Sequence, residues 1–557
     1  MTAKTKTQRF KRLLSHGFFA PELPPCFVSN DLAKYRNFIL SGIEGLPLYK
    51  NKPDFHRYIS TPAWFYHPRF GKNDRRHGVP NPISHLLLSN IIANNYIDLR
   101  RLAKRSRISA SSPVFDWRGG RALMRPSVDL RDDFRLDLSS RREEYAVADI
   151  RAFFHSIYTH AIPWAIYGKP WSKANRDIKH YGNLIDLLCR NAQDGQTIGL
   201  PVGPDTSRLI AEVVASAIDE RLQLSIRIGT QDASRYIDDY TISAVNGESG
   251  EALLAALRLA ATHFELELNS DKSAIFPTSV RQNLGWKQAV RSFIPKVGSN
   301  NTEFQRFFYE VGRICESHPD VNVERYALGN ARSSIVKAGD WRQLQSALIN
   351  AYRRNTSLIS FLVEVLILRQ TEFMDVDTKL ISEFIENRVP VLAQANRTGE
   401  VIWLLFLAIR LGLVLTQKTL KPLYATENSM IALLVVFASA RGLVSGPLDL
   451  SVWNGSLDSD GLRSPMWLFA YETVGRGINP AASTAFIEGD KYFKLLHLKR
   501  VRFLDIDNGY SSVAETLRLL KGENARTKQV RDDFWNDFVI NLSDIGSDED
   551  EDESDAY

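Results

Sequence analysis

The stretch SRYIDDYTIS, residues 234 to 243, places two adjacent aspartates between short runs whose residue types suit β-strands. The hydrophobic residues on both sides predict a hairpin with Asp238 and Asp239 close to its tip. Neighbouring carboxylates repel each other, which costs little in a solvated turn and is cancelled where a divalent cation binds. The stretch therefore leaves two interpretations open, an exposed turn or a magnesium site, and a third carboxylate would favour the second.

A candidate third carboxylate is Asp149, at the end of the predicted strand EEYAVADI. Together with Asp238 and Asp239 it would supply oxygen ligands for Mg²⁺ or Mn²⁺ beside a phosphate-bearing substrate. Phe153 and Phe154 follow Asp149 by four and five residues. A bulky ring beneath a sugar would clash with a 2′-hydroxyl, so Phe154 is a candidate for selecting deoxynucleotides, and the alternative is a pair of core aromatics.

The run GLPVGPDTSR, residues 199 to 208, combines glycines and prolines before a helical pattern. Pro201 and Gly203 would let the backbone lie close to a base pair or template strand, with the helix behind it. Such runs also form ordinary loops, so the signal is weak by itself.

The order of these segments is more specific than any one of them. An aspartate with aromatics, a Gly-Pro turn into a helix, Tyr-Ile-Asp-Asp, ELNSDKS and NLGWK follow one another along the chain. This order resembles motifs A to E of the reverse transcriptase palm. The resemblance implies the following roles: Asp149, Asp238 and Asp239 as catalytic metal ligands with Ile150 beside them, Phe154 as the steric gate, and Pro201, Gly203 and Lys272 near the nucleotide.

The flanking segments narrow the resemblance. SIYTHAIPWAIYGKPWSKANR (156 to 176), RHGVPNPISH (76 to 85) and GFFAPELPPCF (17 to 27) are similar to the abortive-infection (Abi, AbiK-like) reverse transcriptases within the defence-associated group. That family implies anti-phage defence and DNA synthesis from deoxynucleoside triphosphates. It also implies single-stranded DNA started on a tyrosine without a template and left covalently attached to it, a helical-repeat domain in place of a thumb, and a homo-oligomer. Other members of the wider group copy an associated non-coding RNA.

Two sets of residues are assigned only by this analogy. Arg75 and Arg76 are candidates for contacting the triphosphate from the fingers, or are plain surface charge. Priming needs a phenol that reaches Asp149. The candidates, each of which could equally be a structural tyrosine, are Tyr35, Tyr49, Tyr58 and Tyr557.

The organisation along 557 residues predicts a multidomain protein. We expect an α+β reverse-transcriptase fingers and palm followed by an all-α helical-repeat (HEAT-like) domain, with an irregular bundle as the alternative. The expected boundaries are residues 1–140 for the N-terminal segment and fingers, 141–295 for the palm, 296–540 for the helical repeats and 541–557 for an acidic disordered tail.

Charge favours a polyanionic partner. Residues 544–555 carry eight of the 64 acidic groups, so the remaining chain holds 70 basic groups against 56 acidic ones.

The three cysteines show no metal or disulfide spacing, and the apolar runs at 401–415 and 430–444 are short and contain arginine. We therefore expect a cytoplasmic protein with no membrane association.

A different functional class stays open. The chain could be a nucleic-acid-binding scaffold with a vestigial polymerase site, although the retained carboxylates Asp149, Asp238 and Asp239 count against it.

Overall fold

The computed structural model describes residues 5–127, 129–226, 228–243, 249–278, 285–479 and 482–545, without the side chains of 536–545. Most of these residues are helical. The α-helices in chain order are α1 Lys6–His16, α2 Asn30–Glu44, α3 Pro82–Asn94, α4 Tyr96–Ala103, α5 Asp129–Ser139, α6 Phe153–Ser156, α7 Ala161–Tyr167, α8 Lys169–Ala174, α9 Tyr181–Asn191, α10 Asp205–Ile226, α11 Gly250–Thr262, α12 Trp286–Ser292, α13 Asn301–Ser317, α14 Val323–Val336, α15 Trp341–Arg354, α16 Ile359–Phe373, α17 Thr378–Gln394, α18 Thr398–Arg410, α19 Gln417–Leu420, α20 Ser429–Ala440, α21 Ser451–Asn454, α22 Trp467–Gly475, α23 Ala485–Gly489, α24 Phe493–Leu498 and α25 Val513–Ile545.

The strands form two small antiparallel sheets. They are β1 Ala63–Arg69, β2 Lys72–Val79, β3 Glu144–Asp149, β4 Ala233–Tyr236, β5 Asp239–Ser243 and β6 Ala274–Pro277. β1 and β2 pair as a hairpin, and the other four strands lie in the order β4-β5-β3-β6. The predicted hairpin around the two aspartates is confirmed as β4 and β5.

The chain separates into two compact units. Unit 1 comprises residues 1–13, 87–282 and 521–557, and unit 2 comprises residues 14–86 and 283–520. This grouping differs from the expected boundaries. Residues 87–140 group with the four-stranded sheet, whereas the β1-β2 hairpin groups with the later helices. Contacts between segments that are far apart in the sequence determine this grouping.

Unit 1 is built around the four-stranded sheet. The long helix α10 packs against α4, α7 and α11, and α11 packs against β3. Phe134 and Leu138 of α5 form a buried cluster with Tyr145 of β3, and Trp535 of α25 packs against it. The C-terminal helix thus adds to the core that supports the central strand.

Unit 2 contains a row of helices in which each packs against the next: α14, α16, α18, α20 and α22. The residues of α18 and α20 are almost all buried, because the runs 401–415 and 430–444 supply apolar side chains on every face. The hairpin strand β1 packs on α18, and the Tyr66 amide donates to the Thr398 hydroxyl at 2.9 Å. Successive packing of this kind agrees with the expected stacked helices.

Two further expectations concern the chain's ends and the membrane. α25 continues to Ile545, and residues 546–557, which make up most of the predicted acidic tail, lie outside the described part. Among the helices of the described ranges, none is long and apolar enough to cross a membrane.

Candidate active site

Two of the predicted carboxylates face each other across neighbouring strands. Asp149 is the last residue of β3 and Asp239 is the first residue of β5, and the antiparallel register makes them direct partners. Such partners in an antiparallel pair have Cβ atoms about 5 Å apart. The Asp149 side chain is 8% exposed and the Asp239 side chain 31% exposed, so the pair lies at the edge of a buried sheet.

Asp238 occupies the turn that joins β4 to β5. Tyr236 pairs with Asp239, which leaves Ile237 and Asp238 as the two residues of the hairpin loop. The Asp238 carbonyl accepts a hydrogen bond of 3.1 Å from the Ile150 amide, so the turn is fixed to the end of β3. Ile150 has a fully buried side chain, and only its main-chain oxygen could act as a ligand.

The surroundings of Asp239 change its protonation. Burial, and then the hydrogen bond and negative charge of Asp149, raise the pKa of Asp239 above its ordinary value. The Arg131 guanidinium and the Lys272 ammonium oppose this shift. The pair is therefore a site whose charge a cation would relieve.

Two basic side chains already contact the pair. Lys272 Nζ lies 2.5 Å from Asp149 Oδ2, and Arg131 Nη1 of α5 lies 3.5 Å from Asp239 Oδ2. Lys272 was expected near nucleotide phosphates, and the structure places it directly on a carboxylate. Arg131 was missed, because nothing in the local pattern of α5 indicates that it packs beside β4.

The loop 199–204 lies against the helix that carries Phe154. The Leu200 amide donates to the Phe154 carbonyl at 2.6 Å, and the Gly199 amide donates to the Ile157 carbonyl at 2.8 Å. Phe154 is half-buried, with its ring centroid 5.6 Å from that of the buried Phe153. The structure thus brings together the segments of the first two motifs.

Glycine is required at the bend of this loop. Gly203 has φ +131°, which side-chain-bearing residues rarely adopt, and its carbonyl accepts from Arg121 Nη2 at 2.9 Å. Arg121 also contacts Asp205 at the start of α10, at 2.7 Å. Pro201 is buried. Arg121 is a second basic residue that sequence reasoning did not single out.

The other predicted residues belong to unit 2. Arg75 and Arg76 are exposed on β2, and the Arg76 guanidinium lies 4.4 Å from the centre of the Trp64 ring. Tyr35 is half-buried on α2, and Tyr49 is 46% exposed.

Tyr58, also in unit 2, is the weakest priming candidate. It is 4% exposed, its hydroxyl donates to Asn81 Oδ1 at 3.0 Å, and burial raises its pKa well above the ordinary value. A phenol held in this way must be released before it can act. Tyr557 lies outside the described residues.

A preformed metal cage is not present in the described part of the chain, where no three His, Cys, Asp or Glu side chains group closely enough to hold an ion. The donor chemistry nevertheless suits a hard cation, because carboxylate and main-chain oxygens are what Mg²⁺ and Mn²⁺ bind. The carboxylate oxygens of Asp149 and Asp239 fit such an ion if Lys272 and Arg131 move away from them.

Comparison with known proteins gives weak likenesses only. No protein-family model and no curated protein matches the chain. Among solved structures, apo telomerase from Candida tropicalis matches at 13% identity over 76% of this chain and 76% of that chain, with a TM-score of 0.30. Telomerase from Candida albicans in complex with a TWJ fragment of telomeric RNA matches at 11% identity over 62% and 67%, with a TM-score of 0.27. Likenesses at this level assign neither a family nor an activity.

Proposed function

We propose that the chain is a DNA polymerase of the reverse transcriptase type, which transfers deoxynucleotides by a two-metal mechanism. The observation that carries the proposal is the direct pairing of Asp149 with Asp239 across β3 and β5, with Asp238 in the adjoining turn. A carboxylate pair at a sheet edge is costly unless it binds something positive. The order of the surrounding motifs along the chain supports the same interpretation.

Asp149, Asp239 and Asp238, with the main-chain oxygen of Ile150, would hold Mg²⁺ or Mn²⁺. Bound there, the metal ions would activate the attacking hydroxyl and stabilise the leaving pyrophosphate. Burial of Asp149 and the sheet register fix where the carboxylates lie before substrate arrives.

The surrounding side chains have separate tasks in this proposal. Lys272 and Arg131 neutralise the carboxylates in the free protein, and each can turn to a triphosphate oxygen when nucleotide enters. Phe154 restricts the space for a 2′-hydroxyl, and the loop through Pro201 and Gly203 lies beside the base pair or template strand.

The biological role and the priming mode are also proposals. On the family resemblance, we place the chain in anti-phage defence, with DNA that starts on a tyrosine, needs no template and stays attached to the protein as a single strand. The half-buried Tyr35, the exposed Tyr49 and Tyr557 remain candidates. Deoxynucleoside triphosphates are the proposed substrates, and the basic excess favours nucleic-acid partners. A homo-oligomer is proposed on the family resemblance alone.

A scaffold function is the second candidate, and one observation favours it. Lys272 pairs with Asp149 and Arg131 pairs with Asp239, so each carboxylate has a cationic side chain as its partner. A vestigial site could persist in this form and support only nucleic-acid binding.

A polymerisation assay separates the candidates. Purified protein, Mg²⁺ and labelled deoxynucleotides are incubated with no primer or template, and the products are run on denaturing gels before and after protease treatment. Label of protein size that grows with time and shifts with protease supports tyrosine priming. Label that requires RNA from the native host supports a templated reverse transcriptase instead. A protein that incorporates no label under either condition, and binds nucleic acid, supports the scaffold.

A further inference from the structure

The hairpin turn before the paired aspartates is held in a strained conformation. Ile237 has φ +62°, in the left-handed region that β-branched residues almost never occupy. Strain of this kind persists only when several surrounding contacts enforce the conformation, and it concentrates at functional sites. Because Ile237 immediately precedes Asp238 and Asp239, its backbone angles set the directions of both carboxylates.

Both peptide groups of Ile237 are clamped by residues outside the turn. Its amide donates to Ser111 Oγ at 2.7 Å, and its carbonyl accepts from Arg235 Nη1 at 2.8 Å. Two hydrogen bonds on opposite sides of one residue restrict rotation about its φ and ψ angles. The strained conformation is therefore specified by Ser111 and Arg235.

Arg235 is itself fixed in place by buried carboxylates. It is 0% exposed, and it contacts Asp219 Oδ2 at 2.8 Å and Glu212 Oε1 at 2.9 Å, both on α10. Tyr240 also donates to Asp219 at 2.7 Å. Buried ion pairs contribute little net stability, and their best-supported value is to select one geometry.

Ser111 is placed by main-chain pairing. The segment before it runs beside β4, where the Arg235 amide donates to the Ile108 carbonyl at 2.7 Å and the Ala110 amide donates to the Arg235 carbonyl at 2.9 Å. Ser111 is 2% exposed, so water does not compete for the Ile237 amide. The segment 108–111 therefore forms a rigid support for the turn.

We infer that Arg235 and Ser111 are positioning residues, which hold Ile237 in the left-handed conformation and so set how tightly the Asp238 and Asp239 carboxylates bind a divalent cation. The inference rests on the proposed function only in taking this site as the metal site. Groups that orient metal ligands typically change metal affinity by about 10-fold to 100-fold when they are replaced.

The test is a Mn²⁺ titration of the full chain without nucleotide, followed by thermal unfolding. Ser111→Ala removes one clamp without removing a charge, and Arg235→Lys keeps the charge but not the planar fork that bonds three partners. Ser172→Ala is the matched control, because Ser172 is also buried and donates to main-chain carbonyls, those of Pro163 and Gly168. Ser111→Thr retains the hydroxyl and should keep wild-type affinity.

We expect the Mn²⁺ concentration at half-maximal stabilisation to rise about 10-fold or more in Ser111→Ala and Arg235→Lys, and to stay unchanged in Ser172→Ala. If Arg235→Lys does not fold, Ser111→Ala decides the question. Unchanged affinity in Ser111→Ala, or an equal loss in Ser172→Ala, overturns the inference, as does a wild type that Mn²⁺ does not stabilise. If the wild type binds Mn²⁺ and the two variants lose affinity as expected, but the wild type makes no DNA, only the proposed function is overturned.

Discussion

The ammonium of Lys272 lies 2.5 Å from Asp149 Oδ2, at the carboxylate that pairs with Asp239. A positive charge at this place compensates the repulsion between the two aspartates in the free protein. Lys272 is 41% exposed, so it can leave the carboxylate without disturbing the core. The contact therefore places an ammonium at the carboxylate that the proposed function assigns to metal binding.

Replacing Lys272 should show how much its ammonium reduces the repulsion between Asp149 and Asp239. We expect Lys272→Met to lower the free energy of unfolding of the metal-free protein by on the order of 1 kcal/mol, since the half-exposed pair is lost. Mn²⁺ should then stabilise the variant more than the wild type, because no ammonium competes with the ion. Thermal unfolding with and without Mn²⁺ measures both effects. Lys179→Met removes an exposed pair with Asp177 and serves as the control; an equal response in the two variants would contradict the account.

The raised pKa of Asp239 predicts a pH-dependent effect of Asp239→Asn. The folded protein holds the proton of the Asp239 carboxyl more tightly than the unfolded chain does. The protonated carboxyl therefore stabilises the fold at low pH, and this stabilisation is lost as the pH rises through the folded pKa. Without metal, we therefore expect Asp239→Asn to be more stable than wild type at neutral pH, with the difference shrinking as the pH falls through the raised pKa of Asp239 and levelling off below about 4, where the unfolded carboxyl is also protonated. Urea unfolding across this range in chelator measures it, and a variant less stable at neutral pH would count against the raised pKa.

A buried histidine in unit 2 predicts acid sensitivity. Burial lowers the pKa of His67 to about 4, with Glu22 acting against the shift and His77 adding to it. The unfolded chain takes up the proton near pH 6.5, so stability is full above that value and falls between pH 6.5 and 4, by about 3 kcal/mol in total. His67→Leu should remove this slope. Denaturant unfolding at a series of pH values tests it, and an unchanged slope in the variant would assign the acid sensitivity to other groups.

Two helical glycines of unit 2 should respond to alanine in opposite ways. A Cβ on Gly399 of α18 would lie 2.4 Å from the Tyr66 carbonyl oxygen of β1, and backbone cannot yield easily. We expect Gly399→Ala to cost about 1 to 3 kcal/mol. Gly312 of α13 is exposed with nothing within 4 Å, so Gly312→Ala should add up to about 1 kcal/mol. Thermal unfolding of both variants checks the close packing of the hairpin on α18, and a stabilised Gly399→Ala would contradict it.

The elements around the aspartates could be predicted because their signals are local. Alternating apolar and polar residues indicate β4 and β5, and apolar residues at helical spacing indicate α10. Continuous apolar runs indicate α18 and α20. The pairing of Asp149 with Asp239 follows once the two strands are neighbours, since register then fixes which residues are opposite.

Contacts between distant segments could not be predicted. Arg131 reaches Asp239 from α5, and Arg235 is buried against two acids of α10, although each reads in the sequence as an ordinary charged residue. The β1-β2 hairpin groups with helices more than 300 residues later for the same reason. Such contacts depend on how elements pack, which leaves no periodic trace in the sequence.

The central claim is that the carboxylate pair performs deoxynucleotide transfer, and the most direct measurement is incorporation of labelled deoxynucleotides with Mg²⁺ by three proteins: wild type, Asp239→Asn and Asp186→Asn. Asp186 is a buried aspartate held by His160 and Arg190, outside the site, and its variant controls for loss of a buried charge. The account predicts incorporation by wild type and Asp186→Asn, and a loss of at least about 100-fold in Asp239→Asn with its fold intact. Equal incorporation by wild type and Asp239→Asn would contradict it.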